Sequence, residues 1–198
     1  DERIYPASMT KIMTALLTIE NLPDLNETIT VPEDIFEELT AQDASVAGFN
    51  PYEQPTVRDL LYGVLLPSGA DACETLARAV GGSEEGFVAM MNQKAEELGL
   101  TNTHFENCTG LHNDNHYSTC RDIAVLMSEC LKSDTFREIV TREVYTTEAT
   151  ASHPEGITLY DTMLHRFTSY EMSTTLENGA VIEGGKTGFT DEAGQCLV

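Results

Sequence analysis

The residues best suited to chemistry in this sequence are a serine and a lysine three positions apart, Ser8 and Lys11, in the stretch Pro6-Ala7-Ser8-Met9-Thr10-Lys11. The apolar run that follows predicts a buried helix, and residues three apart lie on one face of a helix. A serine becomes a nucleophile when a neighbouring base takes its proton, and a lysine can be that base where burial or nearby positive charge lowers its pKa. A pair with this spacing can therefore form an activated nucleophile. Taken alone, S-x-x-K more often marks an N-capping serine and a surface lysine.

The composition fits a globular chain that is strongly acidic. Its 198 residues suffice for one large domain or two small subdomains, and 41% of them are hydrophobic. The formal net charge is −22, and only 11 basic residues are spread along the chain. This balance argues strongly against a nucleic-acid partner, because neutralising phosphates requires clusters of lysine and arginine. It also disfavours direct adhesion to an anionic bilayer.

The chain ends and the cysteines set further expectations. The sequence contains no apolar run of the length that spans a membrane, and we expect an interior fragment of a longer protein, with any membrane anchor outside it. The cysteines form no C-x-x-C pair and no zinc-ligand spacing. Cys108 and Cys120 bracket a short loop and could form a disulfide in an oxidising compartment, whereas the other three fit small core residues.

Hydrophobic periodicity and capping residues predict a helical middle between sheet-forming ends. A short strand is expected at 27–31, and 32–55 is expected to be irregular and exposed. From Glu143 onward, β-branched and aromatic residues favour strands, ending in a hairpin of about 180–188 and 195–198 joined by 189–194. We therefore predict a single catalytic domain over residues 1–198, with a helical subdomain at about 32–140. The predicted helices are 8–19, 56–65, 71–80, 83–98 and 119–131.

Three short motifs stand in a fixed order along the chain: Ser8-Met9-Thr10-Lys11, Ser68-Gly69-Ala70 and Lys186-Thr187-Gly188. They match the S-x-x-K, S-x-N-type and K-T-G elements of penicillin-recognising serine enzymes. Each motif alone is weak, but their order, spacing and context together are specific.

On these motifs, the whole chain resembles the low-molecular-weight penicillin-binding proteins, specifically the serine-type D-alanyl-D-alanine carboxypeptidases of peptidase family S11. The resemblance implies an α/β (α+β) fold of the β-lactamase/transpeptidase type, in which an antiparallel sheet is flanked by helices and a cleft separates it from a helical subdomain. We expect this fold to be truncated at both ends. The matching stretches outside the three motifs include Asp59-Leu60-Leu61-Tyr62-Gly63-Val64-Leu65-Leu66-Pro67, Asn102-Thr103-His104-Phe105, Gly110-Leu111-His112, Asn115-His116-Tyr117-Ser118-Thr119 and Phe189-Thr190-Asp191-Glu192-Ala193-Gly194.

The resemblance also implies a role for each motif residue. Ser8 would attack the carbonyl between two D-alanines with Lys11 as its general base, and Ser68 would relay a proton to the leaving amine. Water would then hydrolyse the acyl-enzyme, and no metal or organic cofactor is needed.

The K-T-G strand would bind the substrate. Lys186 would supply positive potential and Thr187 would hydrogen-bond the substrate carboxylate. The backbone N–H groups of Ser8 and Phe189 would form an oxyanion hole, and Gly188 would leave room for the peptide to pair with the strand edge.

By the same resemblance, the implied substrate is a peptidoglycan stem peptide ending in D-Ala-D-Ala, and β-lactam antibiotics are implied inhibitors. The implied location is extracytoplasmic, in the cell envelope.

The sequence departs from the family pattern at three places. Ala70 stands where the family usually has an asparagine that contacts the substrate, and losing one such hydrogen bond costs about 1 to 3 kcal/mol. Thr109 stands where relatives commonly carry histidine. An arginine that many members place on the strand after the K-T-G hairpin would fall beyond Val198.

Four alternatives stay open. A D,D-endopeptidase would use the same acyl-enzyme, and a catalytically degenerate wall-binding module would keep the fold without turnover. A β-lactamase needs a glutamate for deacylation, but no Glu-x-x-Leu-Asn pattern lies between the second and third motifs. A zinc hydrolase could use His112, Asp114 and His116, although these residues lack the helical i, i+4 context of such sites.

Overall fold

Four of the eight helices in the described residues begin at a side chain that caps the helix. In the computed structural model, which describes residues 2–198, Thr56 and Asp59 form a reciprocal capping box at the start of α3. Ser83, Thr119 and Ser133 each accept a backbone N–H at the start of a later helix. The helices are α1 (Lys11–Asn21), α2 (Ile35–Ala41), α3 (Val57–Leu65), α4 (Ala70–Gly81), α5 (Glu84–Glu97), α6 (Cys120–Cys130), α7 (Asp134–Val140) and α8 (Leu164–Ser169).

The helix α1 lies at the centre of the core. Its apolar residues Ile12, Met13 and Ala15 are fully buried, and it contacts α3, α4, α5, α6 and α7. A helix that is apolar on nearly every face is stable only when other elements cover it on all sides. The predicted buried helix is therefore confirmed, except that its first turn, Ala7–Thr10, is a 3-10 helix.

The strands form two separate antiparallel pairs. β1 (Val144–Thr146) pairs with β2 (Thr158–Tyr160), and β3 (Thr187–Thr190) pairs with β4 (Gly194–Leu197). The predicted C-terminal hairpin is therefore confirmed from Thr187 onward, but residues 180–183 form no strand. That segment contributes only an isolated bridge between Thr175 and Val181.

The predictions for residues 27–55 were wrong at the expected strand and at residues 35–41. The expected strand at 27–31 is reduced to a bridge between Thr28 and Thr56. The segment expected to be irregular contains α2, whose Ile35 and Leu39 are buried. Two apolar side chains four residues apart are enough to bury one face of a two-turn helix, and the surrounding acidic residues obscured that pattern.

Two shorter helices, α7 and α8, were not predicted. Each has only six or seven residues, so its periodicity is hard to tell from the surrounding sequence.

The five cysteines are free thiols in the described residues, so Cys108 and Cys120 form no disulfide. Cys108 is buried, as are Cys73 and Cys130, whereas Cys120 is exposed at the start of α6. The expectation that the other three cysteines fill the core holds for Cys73 and Cys130, and Cys196 is half-buried. Within residues 2–198, no helix is long and apolar enough to cross a membrane.

The carboxylate of Asp59 joins the start of α3 to the segment that contains β1. Besides the capping box, it accepts the hydroxyl of Tyr145 at 2.9 Å and the N–H of Glu148 at 3.2 Å. We expect Asp59→Ala to lower the free energy of unfolding by about 2 to 4 kcal/mol, because it removes a cap and leaves several buried donors without an acceptor. Urea denaturation would measure the change.

The matched control is Asp134→Ala, which removes an exposed first-turn carboxylate of α7. We expect that change to cost less than about 1 kcal/mol. Equal losses in the two variants would show that Asp59 acts through helix-dipole charge alone.

Candidate active site

The hydroxyl of Ser8 lies at the start of the central helix within hydrogen-bonding distance of an amine. The distance from Lys11 Nζ to Ser8 Oγ is 3.0 Å. Ser8 is carried by the 3-10 turn, and the preceding residue, Ala7, has a left-handed φ of +46°. Non-glycine residues rarely adopt this conformation, so the surrounding contacts must hold the turn in place. The backbone thus fixes the serine against the lysine predicted to be its base.

The amine of Lys11 is almost completely removed from water. The residue is 3% exposed, and its Nζ also donates to the carbonyl oxygen of Thr109 at 2.7 Å. Burial lowers the pKa of Lys11 below its usual 10.5, because desolvation disfavours the ammonium form. A neutral amine can accept the Ser8 proton, so the geometry and the electrostatics suit general-base chemistry.

The loop that holds Lys11 from the other side is organised by Asn107. Its side-chain oxygen accepts the N–H groups of Thr109 and Gly110, and its side-chain nitrogen donates to the carbonyl of Leu111. The motif analysis missed Asn107, although Asn-x-x-Gly is a common turn signal. Thr109 contributes its backbone carbonyl to Lys11, and a carbonyl is available from any residue type. Threonine can therefore stand at this position without loss of that contact.

A second buried amine lies beside the serine of the middle motif. Lys186 is 1% exposed, and its Nζ donates to Ser68 Oγ at 2.9 Å and to the carbonyl of Thr187 at 3.0 Å. Burial and the neighbouring Lys11 charge lower the pKa of Lys186 to about 7, with Asp161 opposing the shift. The structure thus brings the second and third motifs together. Among the hydrogen bonds of the described residues, Ser68 is joined to Lys186 and not to Lys11.

The register of β3 determines which of its N–H groups are not paired with β4. Lys186 and Val198 exchange both backbone hydrogen bonds, and Gly188 pairs with Cys196 two residues further along. Because hydrogen-bonded pairs alternate in an antiparallel ladder, the N–H of Phe189 points away from β4. A Cβ on Gly188 would lie 3.0 Å from the Ser8 nitrogen, so β3 packs closely against the turn that carries Ser8. The Phe189 side chain itself is exposed.

Ala70, the residue that departs from the family motif, is buried. It is 1% exposed, and its N–H donates to the carbonyl of Ser45 at 2.7 Å. The carboxylate of the adjacent Asp71 accepts the N–H groups of Ala47, Gly48 and Phe49. These bonds hold the segment around Ser45 in place over Ala70. Ala70 has no polar side-chain group, so its side chain can make no hydrogen bond to a bound peptide.

The two histidines considered for a zinc site contact other side chains and backbone groups. His116 is buried, accepts the N–H of Glu106 at Nδ1 and therefore donates from Nε2 to the Thr10 hydroxyl at 2.8 Å. Burial lowers the pKa of His116 to about 4, so it stays neutral and supports the turn that carries Ser8. His112 Nε2 lies 3.4 Å from a carboxylate oxygen of the exposed Asp114. With both His116 nitrogens occupied, the proposed ligand set is incomplete.

A second group of side chains with metal-binding atoms lies elsewhere in the described part of the chain. It consists of Glu74, Glu84 and Cys108, whose carboxylate oxygens and sulfur lie within 4.8 Å of one another. There the Cys108 thiol donates to Glu74 at 3.3 Å. Burial and the neighbouring Glu84 raise the pKa of Glu74 to about 7.

Comparison with known proteins identifies relatives of this site. The profile of the peptidase S11 family, described as D-alanyl-D-alanine carboxypeptidase, matches residues 1–198. The chain is 36% identical to D-alanyl-D-alanine carboxypeptidase DacF of Bacillus subtilis, covering all of this chain and 48% of that protein. It is also 36% identical to D-alanyl-D-alanine carboxypeptidase of Streptomyces sp. strain K15, of which it covers 68%. The chain thus spans about half the length of the first relative and two thirds of the second.

The solved structures confirm the predicted fold type. The structure of the Streptomyces K15 DD-transpeptidase superimposes with a TM-score of 0.85 at 34% identity, covering all of this chain and 76% of that one. The fold is therefore transpeptidase-like, with helices around small antiparallel sheets.

Gly110 allows the loop to approach the serine turn closely. Its φ is +86°, and a Cβ there would lie 1.9 Å from the carbonyl oxygen of Ala7. We expect Gly110→Ala to displace the turn and to slow acylation of Ser8 by a fluorescent β-lactam about 100-fold or more, since small misplacements of reacting groups have effects of this size. Gel fluorescence over time would measure the rate.

Gly99→Ala is the control, because Gly99 has a φ of +71° and a Cβ added there would meet no atom within 4 Å. It introduces the same backbone strain without the clash, and we expect acylation to stay within about twofold of the wild-type rate. Equal acylation in both variants would contradict the requirement for close approach at Gly110.

Proposed function

The chain belongs to the peptidase S11 family of D-alanyl-D-alanine carboxypeptidases, and we propose that it removes the terminal D-alanine from peptidoglycan stem peptides through an acyl-enzyme on Ser8. The observation that carries the proposal is the 3.0 Å contact between Ser8 Oγ and the buried amine of Lys11. The second amine, Lys186, hydrogen-bonded to Ser68 beside the free edge of β3, supports the same assignment.

In the acylation step, Lys11 accepts the Ser8 proton as Oγ attacks the carbonyl carbon between the two D-alanines. The carbonyl oxygen becomes an oxyanion, which the N–H groups of Ser8 and Phe189 stabilise. The C–N bond then breaks, and the leaving amine receives the proton that Lys11 took from Ser8, passed on through the Ser68 hydroxyl, so that Lys11 is neutral again before water attacks. The N–H of Phe189 is available for this role because the β3 register turns it away from β4.

Deacylation repeats the chemistry with water as the nucleophile. Lys11 takes a proton from the water, the ester bond to Ser8 Oγ breaks, and the serine regains its proton. The released peptide ends in one D-alanine.

The terminal carboxylate of the substrate binds at the start of β3. Lys186 supplies positive charge and Thr187 supplies a hydroxyl, and Gly188 lets the peptide lie along the strand edge. This cationic site contrasts with the net charge of −22 of the chain, so the attraction is local to the cleft.

From the proposed substrate we infer where the protein acts and which molecules it binds. Peptidoglycan stem peptides lie outside the cytoplasmic membrane, so we place the protein there, in the cell envelope. β-Lactams acylate Ser8 as substrate mimics. We propose that residues 1–198 act as one catalytic domain with a helical subdomain at about 32–140.

Two alternative functions differ from this proposal in what the protein would release from peptidoglycan. A D,D-endopeptidase would acylate on Ser8 in the same way but cleave cross-linked peptides. A degenerate wall-binding module is favoured by the buried Ala70, because the site lacks the amide that usually contacts the substrate.

Release of D-alanine from a diacetyl-Lys-D-Ala-D-Ala peptide tests the proposal. We expect the wild-type protein to release D-alanine and to be labelled by penicillin, and Ser8→Ala to lose both activities, since its nucleophile is gone. Ser128→Ala, which removes an exposed hydroxyl on α6, is the control and should behave like the wild type. Cleavage of cross-linked dimers without release of D-alanine would instead indicate an endopeptidase, and no labelling at all would indicate a degenerate module.

The two amines predict a bell-shaped dependence of kcat/KM on pH. With rising pH, Lys11 loses its proton and becomes a base, so the rate rises; at higher pH, Lys186 loses its charge and binds the carboxylate less well, so the rate falls. Because burial lowers the pKa of both lysines, we expect both limbs below the usual lysine pKa of 10.5. Stopped assays over a pH series would measure the profile.

Lys186→Arg tests which lysine gives the falling limb, because arginine keeps its charge across this range. We expect the fall to disappear in this variant and to persist in Lys132→Arg, which changes an exposed lysine. A falling limb that is unchanged in Lys186→Arg would contradict the assignment.

A further inference from the structure

A threonine outside the three motifs connects the K-T-G strand with the segment that precedes the middle motif. Thr162 lies between β2 and α8, and its Oγ1 is 2.5 Å from Oγ1 of Thr187 on the K-T-G strand. Its backbone N–H donates to the carbonyl of Leu66, two residues before Ser68. Thr162 therefore connects β3 with the segment that carries the middle serine.

The position of Thr162 is fixed by its neighbour, Asp161. The Asp161 side chain is buried, and its carboxylate accepts the N–H groups of Met163 and Leu164 at 2.9 and 2.5 Å. The Asp161 N–H donates to the carbonyl of Glu143. A carboxylate that holds the following turn in this way leaves the Thr162 backbone little freedom, so its hydroxyl is presented to Thr187 in one orientation.

The direction of the hydrogen bond between the two hydroxyls matters for substrate binding. Each hydroxyl has one proton, and a hydroxyl that meets a carboxylate must donate that proton to it. If Thr187 donated to Thr162, it would present only lone pairs to the substrate carboxylate. If Thr162 donates to Thr187, the Thr187 proton is free, and the two bonds in series strengthen each other.

We propose that Thr162 is a positioning residue for recognition of the terminal carboxylate: it donates to Thr187 Oγ1 and so directs the Thr187 proton to the substrate. This inference rests on the proposed function, because it assigns a specificity role within the same site. Thr162 does not touch the substrate, and the chemical step at Ser8 does not pass through it.

The test compares a peptide ending in D-Ala-D-Ala with the same peptide carrying a C-terminal amide. Thr162→Val keeps the shape of the side chain and the N–H to Leu66 but removes the hydroxyl. We expect it to lower kcat/KM for the acid about tenfold, mainly through KM, and to change kcat/KM for the amide less than about twofold. The preference for acid over amide therefore falls about tenfold, and the retained activity on the amide shows that the variant is folded.

Two further variants separate positioning from general damage. Thr162→Ser keeps the donor and should restore the preference to within about twofold of the wild type. Thr158→Val removes one hydroxyl from the exposed Thr146 and Thr158 pair, which are 3.3 Å apart, and should leave the preference unchanged. If Thr162→Val does not fold, Thr162→Ala is measured for the same preference.

The outcomes distinguish this inference from the function on which it rests. A wild-type protein that releases no D-alanine from the acid would overturn the proposed function, and the inference with it. An active wild type whose preference for the acid is unchanged in Thr162→Val would overturn the inference alone. Equal losses on acid and amide in a folded Thr162→Val or Thr162→Ala variant would also overturn it, because they would show a structural role instead.

Discussion

The structure depends on keeping two lysine side chains buried at one cleft. Lys11 and Lys186 are almost fully removed from water, and each ammonium would repel the other. Desolvation of a charged amine is expensive, so the pair is most stable when it carries fewer than two protons. Each amine is given acceptors, the Thr109 carbonyl for Lys11 and the Ser68 hydroxyl for Lys186. Burial thus lowers the pKa of both amines, and one of the two lies next to a serine hydroxyl.

Holding the amines in place requires unusual backbone geometry around them. Ala7 and Ser68 both have positive φ values, +46° and +66°, and Gly110 packs directly against Ala7. Such conformations cost about 1 to 3 kcal/mol each for residues other than glycine, so they persist only where the surroundings enforce them. Here Asn107 enforces the loop, and helix α1, which is buried from Lys11 to Thr18, supports the serine turn from the core. Two of the five non-glycine residues with positive φ in the described part of the chain therefore lie at this site, and the apolar core supplies the stability that tolerates their strain.

Local sequence predicted much of this architecture, and the remainder depends on contacts between distant residues. Caps and periodicity located five helices, and the motifs identified the residues that meet at the cleft. The contact of Lys11 with Thr109 joins residues 98 positions apart, and no local pattern indicates it. Thr162 belongs to no motif, because its partner Thr187 becomes a neighbour only after folding. The burial of Ala70 depends on the segment around Ser45, which was predicted to be exposed.

The acidity of the chain constrains how an anionic substrate can bind. With a net charge of −22, the surface would repel a peptide carboxylate if all charges acted equally at long range. The charges do not act equally, because exposed charges are screened over about 8 Å at physiological ionic strength, whereas buried charges are screened much less. Lys186 is buried, so its attraction for an anion is screened less than the repulsion from the exposed carboxylates. A single buried ammonium can therefore attract a nearby anion in a strongly acidic protein, and here Asp161 opposes the lowering of the Lys186 pKa that burial and Lys11 cause.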